Sequence, residues 1–129
     1  MMLALDDFHI QWDRCAPWLI PALEHGGNTH GIDDVKAMVE RREARFWVGR
    51  ECAAVTEVYE YPRAKVFHIW LCGGDLKELT TELLPIVENW AIEQGCQQGS
   101  IIGRNGWRKI MPEYGYEPVA SLYWKDLTA

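Results

Sequence analysis

At 129 residues, with 48% hydrophobic and 25% charged side chains, the chain is sized and composed for one globular domain spanning residues 1–129. Its net charge of −6 argues against a nucleic-acid partner, which a basic face would mark. No apolar run approaches the roughly 18 residues of a membrane span, no basic leader opens the chain, and the 4 cysteines (Cys15, Cys52, Cys72, Cys96) form no Cys-x-x-Cys pair, so a cytoplasmic protein with reduced thiols, no membrane contact and no zinc knuckle is expected.

In chain order, the apolar stretch Met2–Leu5 reads as an edge strand. From Trp12 to Leu23 the residues Trp12, Cys15, Ala16, Leu19, Ile20 and Leu23 recur at helical spacing. Pro17 and Pro21 each remove an interior hydrogen bond, so this helix is expected to begin near Pro17 or to kink. Gly26-Gly27-Asn28 ends it. Asp33 reads as the N-cap of a second helix through Arg45, with Val35, Met38 and Val39 as its buried stripe.

A β-meander follows: Phe46–Val48, Ala53–Tyr61 and Lys65–Cys72, separated by turns at Gly49-Arg50-Glu51 and Tyr61-Pro62-Arg63-Ala64. The third run is apolar at nearly every position, so it is predicted to be central, with cover on both faces. Strict alternation puts Val66, His68, Trp70 and Cys72 on one face and Phe67, Ile69 and Leu71 on the other. Asp75 can cap a helix running to Gln94, with Leu76, Leu79, Leu83, Val87, Trp90 and Ala91 inward, a kink at Pro85 and Gly95 as its left-handed stop. A strand at Gly99–Ile102, a short helix at Trp107–Glu113 and a last strand at Val119–Lys125 complete the order.

Charge is uneven along the chain. Residues 1–99 carry 9 Lys/Arg against 16 Asp/Glu, and residues 100–129 carry 4 against 3, so an anionic ligand should prefer the C-terminal part, around Arg104, Arg108 and Lys109. Seven tryptophans are expected mostly to fill the core, with some lining a pocket or interface where the indole N–H finds a partner. Glu24, His25, His30, Asp33 and Asp34 offer metal-ligand types within a short span, but the His-x4-His spacing fits no ligand pattern and caps and turns explain each residue singly. Gly-x-Ser-x-Gly, Walker-type and dinucleotide fingerprints are missing.

Strand, glycine turn, long helix, strand, short helix and an aromatic-glycine-aromatic turn (Tyr114-Gly115-Tyr116) before a last strand: this order, from about Phe46 to Leu127, resembles the acyl-CoA-binding half of the GNAT superfamily of N-acyltransferases. Ala53–Val58, Tyr61-Pro62, Leu71–Gly74, Gly103-Arg104 and Gly106-Trp107 are also similar to small GNAT-like proteins of tailed bacteriophages. The resemblance implies a mixed α+β, three-layer fold, with a central mixed and largely antiparallel sheet flanked by helices on both faces. It implies acetyl-CoA as donor and a small-molecule or protein amine as acceptor.

In the family the turn before the long helix usually reads Arg/Gln-x-x-Gly-x-Gly/Ala and holds the pyrophosphate on backbone N–H groups at the helix N-terminus. The matching positions here are Leu71, Cys72, Gly73, Gly74 and Asp75, with Arg104 and Arg108 as further phosphate contacts. Gly73 and Gly74 would let a ligand approach closely. The basic or amide residue is missing, and Asp75 sets a carboxylate where the phosphate would lie. The family's proton donor is often a Tyr four residues before the aromatic-flanked glycine; that position is Met111, so Tyr114 is the nearest substitute. His68, or Glu57 on the preceding strand, is the candidate base. Two functions stay open at this point: an acetyl-CoA-dependent N-acetyltransferase, or a non-catalytic GNAT-fold module that contacts a second copy (a homodimer) or a phage protein.

Overall fold

A computed structural model of the chain describes residues 5–103 and 105–128. The strand expected at Met2–Leu5 lies outside these residues except for Leu5, which opens helix α1 (Leu5–His25). Helix α1 runs through both Pro17 and Pro21. Trp12, Cys15, Leu19 and Leu23 form its buried stripe, while Pro17 is exposed. Helix α2 is Ile32–Glu40: it starts before the expected cap Asp33, which lies inside its first turn, and ends five residues short of the expected Arg45. Its N-cap is Gly31, whose N–H donates to Asp34 Oδ2 at 2.8 Å. At its other end Arg42 takes a left-handed φ of 63°, and the amides of Arg42 and Glu43 fold back onto Val39 and Met38 carbonyls, closing the helix before the first strand.

Among the described residues the sheet has four strands, β1 (Arg45–Val48), β2 (Cys52–Glu60), β3 (Lys65–Gly74) and β4 (Gln98–Ile101), in the order β1-β2-β3-β4. The first two pairings are antiparallel and β3–β4 is parallel. β3 is therefore interior, as its apolar run requires. One face is covered by α1 and α2, through a cluster that includes Trp12, Leu19, Val35 and Val55. The other is covered by the helical run after β3, through Trp47, Ala54, Phe67, Ile69 and Leu83. Trp47 settles its indole N–H inside that second cluster by donating to Thr56 Oγ1 at 2.9 Å.

Strict alternation fails within β3. Val55 pairs with Leu71 but Thr56 pairs with Ile69, so Trp70 is an extra residue opposite β2, a β-bulge. Downstream of it the faces exchange. Phe67 and Ile69 pack in the cluster under the later helices, whereas Leu71 joins the α1/α2 cluster with Trp70 beside it. The expected grouping of Phe67, Ile69 and Leu71 on one face is corrected accordingly; a single inserted residue reverses every later side chain.

The helix after β3 comes in three joined pieces: α3 (Leu76–Glu78), a π-helical turn (Leu79–Leu83) and α4 (Leu84–Glu93). The wide π turn accommodates Pro85, which carries no N–H and whose ring would crowd the carbonyl one turn back in a uniform α-helix. Beyond β4 two 3₁₀ segments, Asn105–Lys109 and Met111–Tyr114, replace the single helix expected at Trp107–Glu113, with Pro112 starting the second. The final strand expected at Val119–Lys125 does not form: residues 116–126 carry no regular structure, and Val119 and Tyr123 are each 91% exposed. Apolar side chains there stand at both parities (Val119 and Tyr123, Leu122 and Trp124), so neither face of a strand would be polar, and β-propensity is realised only against a partner. No helix among the described residues is long and apolar enough to cross a membrane.

Candidate functional site

β4 pairs with β3 only from Val66↔Gln98 to Ile69↔Ile101, while β3 continues to Gly74. The two strands thus part at the bulge, and the gap between Trp70–Gly74 and Ile101–Gly103 with Trp107 opens into a broad cavity of about 2330 Å³ that also reaches α1, the β2–β3 turn and the C-terminal segment. It exceeds the roughly 300–1,000 Å³ of most small-molecule sites because the irregular segment 117–122, together with Trp124 over Gly27, forms its open outer wall. Trp18, Trp70, Trp107 and Trp124 all line it, so several of the tryptophans do face a pocket.

At the inner end of the cleft, Gly73 and Gly74 serve internal packing. A Cβ on Gly73 would lie 2.1 Å from the Trp18 carbonyl oxygen of α1. Gly74 has φ +97°, and a Cβ there would meet the Glu51 carbonyl oxygen at 2.2 Å. β3 passes into α3 through Asp75 alone, so no loop of spare amides forms. Asp75 N–H donates to Glu51 O at 2.7 Å, and the Asp75 carboxylate accepts from Glu78 N–H at 3.1 Å. Leu71 is buried in the α1/α2 cluster, whereas Cys72 packs toward the other one.

Glu78 extends the same internal bracing. Its carboxylate accepts the amide N–H groups of Arg50 and Glu51, both at 2.7 Å, and so pins the β1–β2 turn to the start of the helix. Those bonds, Glu51's first, hold the Glu78 pKa below its ordinary value. A depressed folded-state pKa contributes stability above the unfolded value of 4.5 that is lost as pH falls through the folded one. Glu78→Gln should therefore narrow the stability difference between pH 7 and pH 3 in urea titrations. An acid limb unchanged from the parent chain would show that the carboxylate contributes nothing there.

The base candidates come together on the α1/α2 face of the sheet, in the half that these helices leave uncovered. Glu57 and Ser100 are the register partners of His68 on its two neighbouring strands, so Glu57, His68 and Ser100 form one row across β2, β3 and β4. His68 Nδ1 is hydrogen-bonded to Ser100 Oγ, and its Nε2 lies 3.0 Å from Tyr61 Oη. Tyr59 donates its hydroxyl to Glu57 Oε2 at 2.9 Å, which raises the Tyr59 pKa and keeps the phenol protonated. Tyr59, Tyr61 and Ser100 were not singled out from sequence. The pairing register was the signal that would have found them, since Glu57 and Tyr59 share a strand parity.

Tyr114 stands apart from this row, packed against the cluster on the opposite face, where Met111 is buried in the core. Tyr116, the other tyrosine of that turn, donates to Glu88 Oε2 at 2.7 Å; burial first and then Glu88 raise its pKa far above the ordinary phenol range, so it is a poor acid. Arg108 is exposed on the cleft wall, and Arg104 lies outside the described residues. Among the described residues no three His, Cys, Asp or Glu side chains converge as metal ligands; His30 instead packs edge-on to Trp70 with ring centroids 4.9 Å apart.

No protein-family model and no curated protein matches this chain. Solved structures do. A probable acetyltransferase superposes over 97% of this chain and 93% of its own, at TM-score 0.64 and 12% identity. Glucosamine-6-phosphate N-acetyltransferase from Arabidopsis thaliana matches over 74% and 76%, at TM-score 0.60 and 11% identity. A Trypanosoma brucei acetyltransferase matches over 74% and 78%, at TM-score 0.57 and 13% identity. The chain has the GNAT acetyltransferase fold. The expected three layers and mixed, largely antiparallel sheet are those of this fold.

Proposed function

We propose that this chain is an acetyl-CoA-dependent N-acetyltransferase that holds the donor in the opening between β3 and β4 and an amine acceptor beside His68. The parting of the two strands at the Trp70 bulge carries this reading. A strand that outruns its neighbour offers an edge on which an extended, amide-bearing arm can lie. The arm fits that edge, and the diphosphate fits the helix start less well, because the Asp75 N–H is committed to Glu51 O and the Asp75 carboxylate occupies the helix start, accepting from Glu78 N–H. Arg108 on the cleft wall supplies a positive group for it.

Acetyl-CoA, when bound, supplies the acetyl thioester. His68, its Nδ1 held by Ser100, takes a proton from the acceptor ammonium on one face of the sheet through the Tyr61 hydroxyl on its Nε2, which gives its own proton to His68 and receives the one from the amine. Tyr114, on the other face, protonates the departing sulfur. The acceptor nitrogen gives up two protons in all: one leaves through His68, and the other restores the one that Tyr114 donates.

A second reading has one observation in its favour. The Asp75 carboxylate caps the helix from within, as it would in a module that binds no cofactor and instead contacts a second copy or, following the sequence resemblance, a phage protein. Thermal melting with millimolar acetyl-CoA decides between them. A ligand at about 100 times its dissociation constant adds about 2.7 kcal/mol, several degrees for a domain of this size. His68→Gln should leave that shift in place and abolish turnover. An unchanged melt at saturating donor would refute the transferase.

A further inference from the structure

The uncovered half of the α1/α2 face carries three aromatic rings around one carboxylate. Ring centroids of Tyr59 and Tyr61 lie 5.4 and 6.0 Å from that of His68, and the two tyrosines stack at 6.2 Å. Both tyrosines are about half exposed, at 45% and 49%, although each carries a ring large enough to be worth burying. Glu57, the register partner of His68, is oriented by the Tyr59 hydroxyl on its Oε2. No described residue donates to its Oε1, and Glu57 enters no ion pair among the described residues. Lys65, on the same hairpin, is engaged elsewhere, its Nζ donating to Gln94 O at 2.6 Å.

A carboxylate of fixed orientation, flanked by half-exposed aromatic rings and in no ion pair among the described residues, is the arrangement that selects a protonated amine. The rings attract positive charge through their negative faces, and the carboxylate adds a directional acceptor. The acidic chain, at −6 overall, raises the local concentration of such a ligand. We infer that Glu57, Tyr59 and Tyr61 form a subsite for a cationic alkylamine, one whose ammonium is seated against Glu57 Oε1 and the tyrosine rings. It names the acceptor class for the transferase reading and rests on that reading for its purpose, while the binding itself needs no donor. A diamine suits the site best: one ammonium is held by Glu57 as the other end reaches past His68 toward the cleft.

The test is an NMR titration of the full chain with 1,5-diaminopentane, without acetyl-CoA, against its uncharged N,N′-diacetyl derivative. Saturable shifts at Glu57, Tyr59, Tyr61 and His68 are expected with the diamine at millimolar concentration, and none with the neutral analogue. Glu57→Gln and Tyr59→Leu should each weaken binding roughly five- to thirty-fold, while Tyr59→Phe, which keeps the ring but loses the hydroxyl that orients Glu57, should weaken it less than Tyr59→Leu does. Both positions are at least partly exposed, and the amide spectra of the variants report directly that they remain folded. Equal binding of the neutral analogue, no saturable shift, or parent-like affinity in both Glu57→Gln and Tyr59→Leu would overturn the inference. Diamine binding without any acetyl-CoA stabilisation would sink the transferase alone, and the reverse pattern would sink this subsite alone.

Discussion

Gly73→Ala is expected to destabilise the fold by about 3 kcal/mol or more, a large share of a small domain's margin. The added methyl would lie 2.1 Å from the Trp18 carbonyl oxygen and 2.9 Å from its carbonyl carbon, both backbone atoms of α1. Neither side has room to yield. β3 is held by β2 across the whole segment, and α1 is anchored by Cys15 and Leu19, both fully buried. Gly74→Val should be as costly for a different reason, combining a left-handed φ of +97° with a Cβ 2.2 Å from the Glu51 carbonyl. Urea denaturation would show the midpoint falling at unchanged slope. Full stability in Gly73→Ala, together with lost acetyl-CoA affinity, would restore the reading in which the glycines make space for a ligand. The same geometry makes a bulky residue at Gly74 an unsuitable probe of donor binding, since it would unfold the strand end first.

These glycines mark where sequence legibility stopped. Gly73-Gly74 announced a close backbone approach, and the approach is real; what approaches is α1 and the β1–β2 turn, which lie about 55 and 22 positions away in the chain and leave no local trace. The central place of β3 was readable because an almost unbroken apolar run needs cover on both faces. His68 and Glu57 were readable as polar residues among apolar strand positions. Tyr59 was legible only as Glu57's neighbour of the same parity on one strand; its approach to His68, like those of Tyr61 and Ser100, arises from how the strands pair, and register is a property of pairs. The missing last strand is the converse case. Val119–Lys125 has the residue types of a strand, yet among the described residues nothing pairs with it.

Leu71→Ala should cost about 2–5 kcal/mol, and the partner it couples to will locate the bulge. Leu71 is 2% exposed and belongs with Leu19 and Val55 in the cluster under α1 and α2. Unbroken alternation would instead have set it beside Phe67 and Ile69, facing Leu83 and Val87. A double-mutant cycle separates the two arrangements, because side chains sharing one cavity are non-additive and those on opposite faces of a sheet are nearly independent. Leu71→Ala with Leu19→Ala is expected to deviate from additivity by at least about 0.5 kcal/mol, and Leu71→Ala with Leu83→Ala by less than about 0.3 kcal/mol. The opposite ranking would remove the extra residue at Trp70. It would also close the opening between β3 and β4, since the bulge is what turns β3 away from the end of its parallel neighbour and gives a donor somewhere to lie.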